Sequence, residues 1–90
     1  GVRRDVSLAV AESVRWGAME AVVKKAAAML DGLAFESLYR GKGLKPGTKG
    51  MAFSMQLRAA DRSLTDAEAN DIRDTVVKAL QAAFPGSELR

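Results

Sequence analysis

The stretch Met51-Ala-Phe-Ser-Met-Gln-Leu-Arg-Ala-Ala60 alternates large apolar side chains with small or polar ones. This period of two residues is typical of a β-strand with one buried face. The predicted buried face carries Met51, Phe53, Met55 and Leu57, and the opposite face carries Ala52, Ser54, Gln56 and Arg58. The stretch therefore predicts a strand that is packed against a core on one side only.

Three further strands are predicted around this one. Residues Val2 to Ala11 alternate in the same way, with Val6, Leu8 and Val10 on one face. Leu33 to Arg40 forms the second strand in chain order. Ser87 to Arg90 is long enough only for a short final strand.

Two amphipathic helices separate the strands. Apolar residues recur at three- and four-residue spacing from Trp16 to Leu30, which predicts a helix with Ser13 as its N-cap and Asp31-Gly32 as its stop. The second helix begins at Thr65-Asp-Ala-Glu68, which has the pattern of a capping box, and ends at Pro85-Gly86.

The order strand, helix, strand, strand, helix, strand predicts an α+β, ferredoxin-like βαββαβ fold. We expect a four-stranded antiparallel sheet of order 4-1-3-2 with both helices on one face. The other face would be open, and by alternation it carries Asp5, Ser7, Tyr39, Ala52, Ser54, Gln56 and Arg58. Such a face can stack bases and hold phosphates, although it can equally be a solvated surface.

Composition restricts the possible functions. The 90 residues include no Cys and no His, so thiolate chemistry and the commonest general base and metal ligand are absent. We therefore expect no catalytic residue and no metal site in residues 1–90, which form a single domain. The chain starts at Gly1, which suggests a piece of a longer protein. No apolar run is long enough for a membrane span. The absence of Cys fits the cytoplasmic location that we expect.

Positive charge is concentrated in one region. Residues 37–60 contain no acid, but they contain Arg40, Lys42, Lys45, Lys49 and Arg58. Most of these cations lie in or beside a ten-residue connection, Gly41 to Gly50, which is long for a hairpin. Its glycines match no nucleotide-binding pattern and favour turns and close backbone approach. The cations indicate a phosphate-bearing partner, or else a merely solubilising loop.

Several segments together resemble one known family. They are Val2-Arg-Arg-Asp5, Tyr39-Arg-Gly-Lys-Gly-Leu-Lys-Pro-Gly-Thr-Lys-Gly-Met-Ala-Phe53, Asp61-Arg-Ser-Leu-Thr-Asp-Ala-Glu-Ala-Asn70 and Glu88-Leu-Arg90. In order and spacing they are similar to the ferredoxin-fold anticodon-binding domain that closes the β subunit of bacterial phenylalanyl-tRNA synthetases.

The resemblance implies that the domain binds the anticodon stem-loop of the phenylalanine tRNA. In the family the first anticodon base stacks on a Tyr at the end of the second strand, which matches Tyr39. The resemblance also implies a parent ligase that uses ATP and Mg²⁺ at a catalytic α subunit in an α2β2 assembly. This domain itself would need no cofactor.

The sequence departs from the family pattern at three positions. Ser37 stands where an Asp is usual, Gly50 where a Ser is usual, and Glu36 where an aromatic residue is usual. The Asp and Ser positions lie near the stacked base in the family. We therefore expect a weaker or differently built reading of the base edge, with Ser37 and Gly50 still near the base.

Two other classes of ferredoxin-like protein share this predicted topology. An acylphosphatase-like enzyme needs an Asn on the sheet, whereas Asn70, the single Asn, falls in the second helix. An amino-acid-sensing regulatory domain stays open as an alternative, and it predicts a dimer and no RNA binding.

Overall fold

The computed structural model describes residues 1–41 and 43–90, and the prediction for Lys42 lies outside them. The elements are β1 (Val2–Ala11), α1 (Trp16–Ala26), β2 (Leu30–Tyr39), β3 (Thr48–Leu57), α2 (Asp66–Ala83) and β4 (Glu88–Leu89). The strands form one antiparallel sheet of order β2-β3-β1-β4. The predicted βαββαβ fold and sheet order are confirmed.

Both helices cover the same face of the sheet. Val6 of β1 pairs with Phe53 of β3, and alternate residues of the two strands share that side. The fully buried side chains of this face and of the helices include Leu8, Val10, Met19, Val23, Phe53, Met55, Leu57, Val76 and Leu80. One apolar core therefore lies between sheet and helices, and the opposite face of the sheet is left without a helix.

The second helix starts where the sequence predicts. The Thr65 side chain accepts a hydrogen bond from the Glu68 backbone N–H, and the Glu68 carboxylate accepts one from the Thr65 N–H, both at 3.1 Å. This reciprocal pair satisfies two backbone donors that the first turn of any helix leaves free.

The predicted limits of the first helix are wrong. The helix begins after Arg15, whose carbonyl accepts from the N–H groups of Ala18 and Met19, so Ser13 is not its cap. It ends at Ala26, and the left-handed residue of the following turn is Met29, at φ 58°, rather than Gly32. The apolar residues near the end of the predicted helix serve two elements, because Leu30 already pairs with Leu57 in the sheet.

Strand β2 is correspondingly longer at its start than predicted, and β3 is shifted. Strand β3 begins at Thr48 rather than at Met51, and it ends at Leu57 rather than at Ala60. The connection between the two strands therefore comprises residues 40–47. Gly41, Gly43 and Gly47 have positive φ angles there, which supports turn geometry as the reason for these glycines.

Not all of the large apolar residues in the predicted helix and strands are buried. Met19, Met51 and Met55 are enclosed, and Trp16 packs against Phe53 with ring centroids 5.5 Å apart. Met29 is exposed instead, since it lies in the turn before β2.

Candidate nucleic-acid interface

The open face of the sheet carries one aromatic side chain, Tyr39. It is the last residue of β2 and pairs with Gly50 of β3, which in turn pairs with Ala9 of β1. The ring lies against the backbone of Gly50, and its hydroxyl is 3.2 Å from the Ser7 hydroxyl, with which it shares a hydrogen bond. Tyr39 thus reaches from the edge strand across β3 to β1.

One side of the Tyr39 ring rests on the sheet, and the other side is exposed. Tyr39 is 38% exposed although one side of its ring contacts the sheet. The other aromatic residues lie elsewhere: Trp16 packs with Phe35 and Phe53 on the helix side, and Phe84 follows α2. A flat, half-exposed aromatic ring of this kind can stack with an unpaired base.

Ser37 and Ala52 lie beside this ring on the open face. The two residues pair across β2 and β3, two residues along from the Tyr39–Gly50 pair. Ser37 is exposed and Ala52 is partly exposed. The structure therefore places both residues on the same face as the ring, and their contact with a base stays a prediction.

Ser54 is less available than the alternation predicts. It is only 3% exposed, and its hydroxyl donates a 2.8 Å hydrogen bond to the Glu36 carboxylate. Glu36 reaches this face because β2 has a register shift between Phe35 and Ser37, which turns an additional side chain toward the open side. The expectation that Ser54 faces a ligand directly is therefore corrected.

Two predicted phosphate-binding cations lie at the Tyr39 end of the sheet, and both are already paired. Arg40 Nε donates to Glu12 Oε1 at 2.9 Å, and Lys45 Nζ donates to Glu88 Oε1 at 2.7 Å. These hydrogen bonds lower the pKa of the Glu12 and Glu88 carboxyls below their ordinary values. All four side chains are substantially exposed, so phosphates can compete for the cations.

Lys49 and Arg58 do not lie beside the exposed side of the Tyr39 ring. Lys49 belongs to β3 rather than to a loop, and it is 7% exposed opposite Val10, because its neighbour Gly50 occupies the open face. Arg58 is eight residues beyond Gly50, which corresponds to roughly 26 Å along a strand. The structure therefore does not bring either side chain to the exposed face of Tyr39.

Sequence reasoning missed several participants in this surface. Ser7 was predicted on the open face, but nothing in the sequence indicates that it holds the Tyr39 hydroxyl. Glu12 and Glu88 are separated from Arg40 and Lys45 by 28 and 43 residues, so no local pattern signals the ion pairs. Only the sheet order brings them together.

In residues 1–41 and 43–90, no group of three or more acidic side chains is placed to hold a metal ion. Neither helix in this part of the chain is long and apolar enough to cross a membrane.

A ferredoxin-like sheet that keeps one face free, with an aromatic ring and cations at one end, is an arrangement that single-stranded nucleic-acid-binding domains use. Comparison with known families narrows the class: residues 1–90 match the ferredoxin-fold anticodon binding domain. The chain belongs to that family. It is a binding domain and not a catalytic one.

Individual relatives agree with this family. The phenylalanine–tRNA ligase beta subunit of Pseudoalteromonas translucida is 35% identical over 86 residues, or 94% of this chain. The beta subunits of Clostridium tetani and Anaeromyxobacter dehalogenans are 33% and 36% identical, each over 99% of this chain. The chain spans 11% of the length of each of these three proteins.

Proposed function

We propose that this domain binds the anticodon stem-loop of tRNA(Phe) and stacks an unpaired anticodon base on Tyr39. The observation that carries the proposal is the position of the Tyr39 ring, which lies flat on the open sheet face with one side exposed. An unpaired base presents a π-face to such a ring, and its stacking contributes about 1–3 kcal/mol. The family match and the names of the relatives support the choice of RNA.

Phosphates of the same stem-loop would be bound by Arg40 and Lys45. These side chains lie at the Tyr39 end of the sheet and are exposed beyond their carboxylate partners. Ser37, Ala52 and the backbone of Gly50 would line the edge of the base. Lys49 contributes mainly to the local potential, and Arg58 would touch RNA only if the stem extends along the sheet.

The proposal extends to a larger assembly. We infer that the domain belongs to the β subunit of a cytoplasmic phenylalanine–tRNA ligase, because relatives with that name contain a similar segment. ATP and Mg²⁺ would act at the catalytic α subunit of an α2β2 enzyme. Residues 1–90 would then contribute tRNA binding and no chemistry of their own.

Substitution of Tyr39 tests the proposal directly. Tyr39→Ala should weaken binding of the anticodon stem-loop by about 1–3 kcal/mol, because the stacking surface is removed. Tyr39→Phe should cost much less, since the ring remains and only the hydrogen bond to Ser7 is lost. The dependence of binding on salt should be unchanged in both variants, because stacking releases no counterions. Melting temperatures serve as the control for folding.

Three outcomes would contradict the proposal in different ways. Equal binding by Tyr39→Ala and the parent chain would limit the domain to holding the RNA backbone. Unfolding of Tyr39→Ala would make Tyr39 a structural residue. Absence of stem-loop binding by the parent chain, together with a concentration-dependent dimer and a thermal shift on adding an amino acid, would favour the regulatory-domain alternative.

A further inference from the structure

Gly50 lies directly beneath the ring of Tyr39. A Cβ atom built at position 50 would lie 2.5 Å from Cε1 of that ring, and closer still to Cζ and Cε2. Real Cβ atoms essentially never approach another heavy atom so closely. The ring can therefore lie flat on the sheet only because residue 50 has no side chain.

Backbone conformation does not account for this glycine. Gly50 is inside β3 and pairs regularly with Ala9 and Tyr39 on either side. The glycines with positive φ angles are Gly41, Gly43, Gly47 and Gly86, so any L-residue could adopt the backbone of Gly50. Residue 50 lacks a side chain because the Tyr39 ring occupies the space that a Cβ atom would need.

The far end of the same ring is held by Ser7. The hydroxyls of Tyr39 and Ser7 are 3.2 Å apart, and Ser7 lies on β1, two strands away from the edge strand that carries Tyr39. The ring is thus seated on one strand and hydrogen-bonded to the next. If either contact were lost, the ring would be free to leave this orientation.

We propose that Gly50 and Ser7 are positioning residues that hold the Tyr39 ring flat before any base arrives. This inference rests on the proposed function and deepens it. A ring that is already parallel to the sheet loses little rotational freedom on stacking, and such preorganisation increases affinity. In this chain a side chain at position 50 would displace the ring from its place on the sheet, so Tyr39 would no longer be held in the orientation in which we propose that it stacks on a base.

Gly50→Ala is the decisive variant. Its stem-loop affinity should fall by roughly 5- to 150-fold, the range expected when one base–aromatic stack is lost. The matched control is Gly32→Ala, also in a strand, where a new Cβ would meet the Gln56 side chain at an ordinary 3.5 Å. That control should bind like the parent. Ser7→Ala should give a smaller loss, because it frees only the hydroxyl end of the ring.

A double variant separates positioning from general damage. If residue 50 acts through the ring, Gly50→Ala combined with Tyr39→Ala should bind no worse than Tyr39→Ala alone. Losses that multiply would show that the change at position 50 harms binding by another route and would overturn the inference. Undiminished binding by Gly50→Ala alone would overturn it as well.

A measurement without RNA keeps the inference distinct from the proposed function. In the free protein, the Gly50 Hα proton beneath the ring should resonate upfield because of the ring current, and Tyr39→Ala should abolish this shift. Ser7→Ala should reduce it. Absence of the shift would refute the seating of Tyr39 on Gly50, whether or not the chain binds RNA. Loss of stem-loop binding by the parent, with the shift present, would refute the anticodon role alone.

Discussion

Removing the two carboxylates that pair with Arg40 and Lys45 should strengthen RNA binding. In the free domain, Glu12 and Glu88 already accept hydrogen bonds from the two cations that we propose bind phosphates. The Arg40 Nε–Glu12 Oε1 distance is 2.9 Å, and the Lys45 Nζ–Glu88 Oε1 distance is 2.7 Å. Each phosphate must therefore displace a carboxylate or share its cation. The double variant Glu12→Gln, Glu88→Gln removes this competition but leaves side chains of similar size.

The expected gain follows from the exposure of these pairs. Because all four side chains are well exposed, the pairs are weak, and each carboxylate removed should tighten binding by about 1.5- to 5-fold. The slope of log affinity against log salt should become steeper by up to about 0.7–0.9 for each cation released. The melting temperature should change little, since exposed ion pairs contribute little to stability.

The assay is titration of the domain with the anticodon stem-loop at several salt concentrations. A charge-matched control is Glu20→Gln with Asp74→Asn, which removes two carboxylates from helix-side pairs with Lys24 and Arg73. Both double variants change the formal net charge from +3 to +5. An equal steepening of the two salt slopes would show that overall charge, and not local competition, governs binding, and the reasoning would be refuted.

Three further predictions concern stability. Thr65→Ala should lower the free energy of unfolding by about 0.5–2 kcal/mol, because the cap of α2 is lost, and an unchanged urea midpoint would contradict this. Phe53→Ala should cost about 3–5 kcal/mol, since the ring is 0% exposed; a loss under about 1 kcal/mol would mean that the core refills the space. The hydrogen bond from Arg62, followed by that from the Thr65 N–H, lowers the pKa of Glu68 from 4.5 to about 2. The stabilisation that Glu68 contributes should be complete above pH 4.5 and be lost as the pH falls towards 2. The free energy of unfolding of Glu68→Gln should therefore depend less on pH over this window than that of the parent. An identical pH dependence would contradict the assignment.

Local signals in the sequence were sufficient for the elements and their order. A capping box acts within four residues, and strand alternation acts within ten, so both can be recognised without tertiary information. The start of α2 at Thr65 and the span of β1 are confirmed for this reason. The limits of α1 could not be predicted equally well, because Leu30 fits a helix stripe but is required by the sheet as the partner of Leu57.

The features of the candidate site also divide into those that local sequence patterns predict and those that they do not. The alternation of β3 placed Ala52 on the open face correctly, and it also implied that Ser54 was free. The register shift in β2 brings Glu36 over Ser54, and no periodic pattern reveals such a bulge. The family resemblance identified Tyr39. At Gly50 it indicated only that a serine is usual, and it did not indicate that the Tyr39 ring needs the space.

The sequence by itself therefore determined the fold, the open face and the presence of an aromatic residue and cations on it, because periodicity and capping depend on residues close together in the chain. Tertiary structure alone decided that the Tyr39 ring rests on Gly50 and Ser7, and that Glu12 and Glu88 hold the cations. These contacts join residues 11 to 43 positions apart. They arise only when strand order and register place distant segments side by side, and register depends on the packing of the whole sheet.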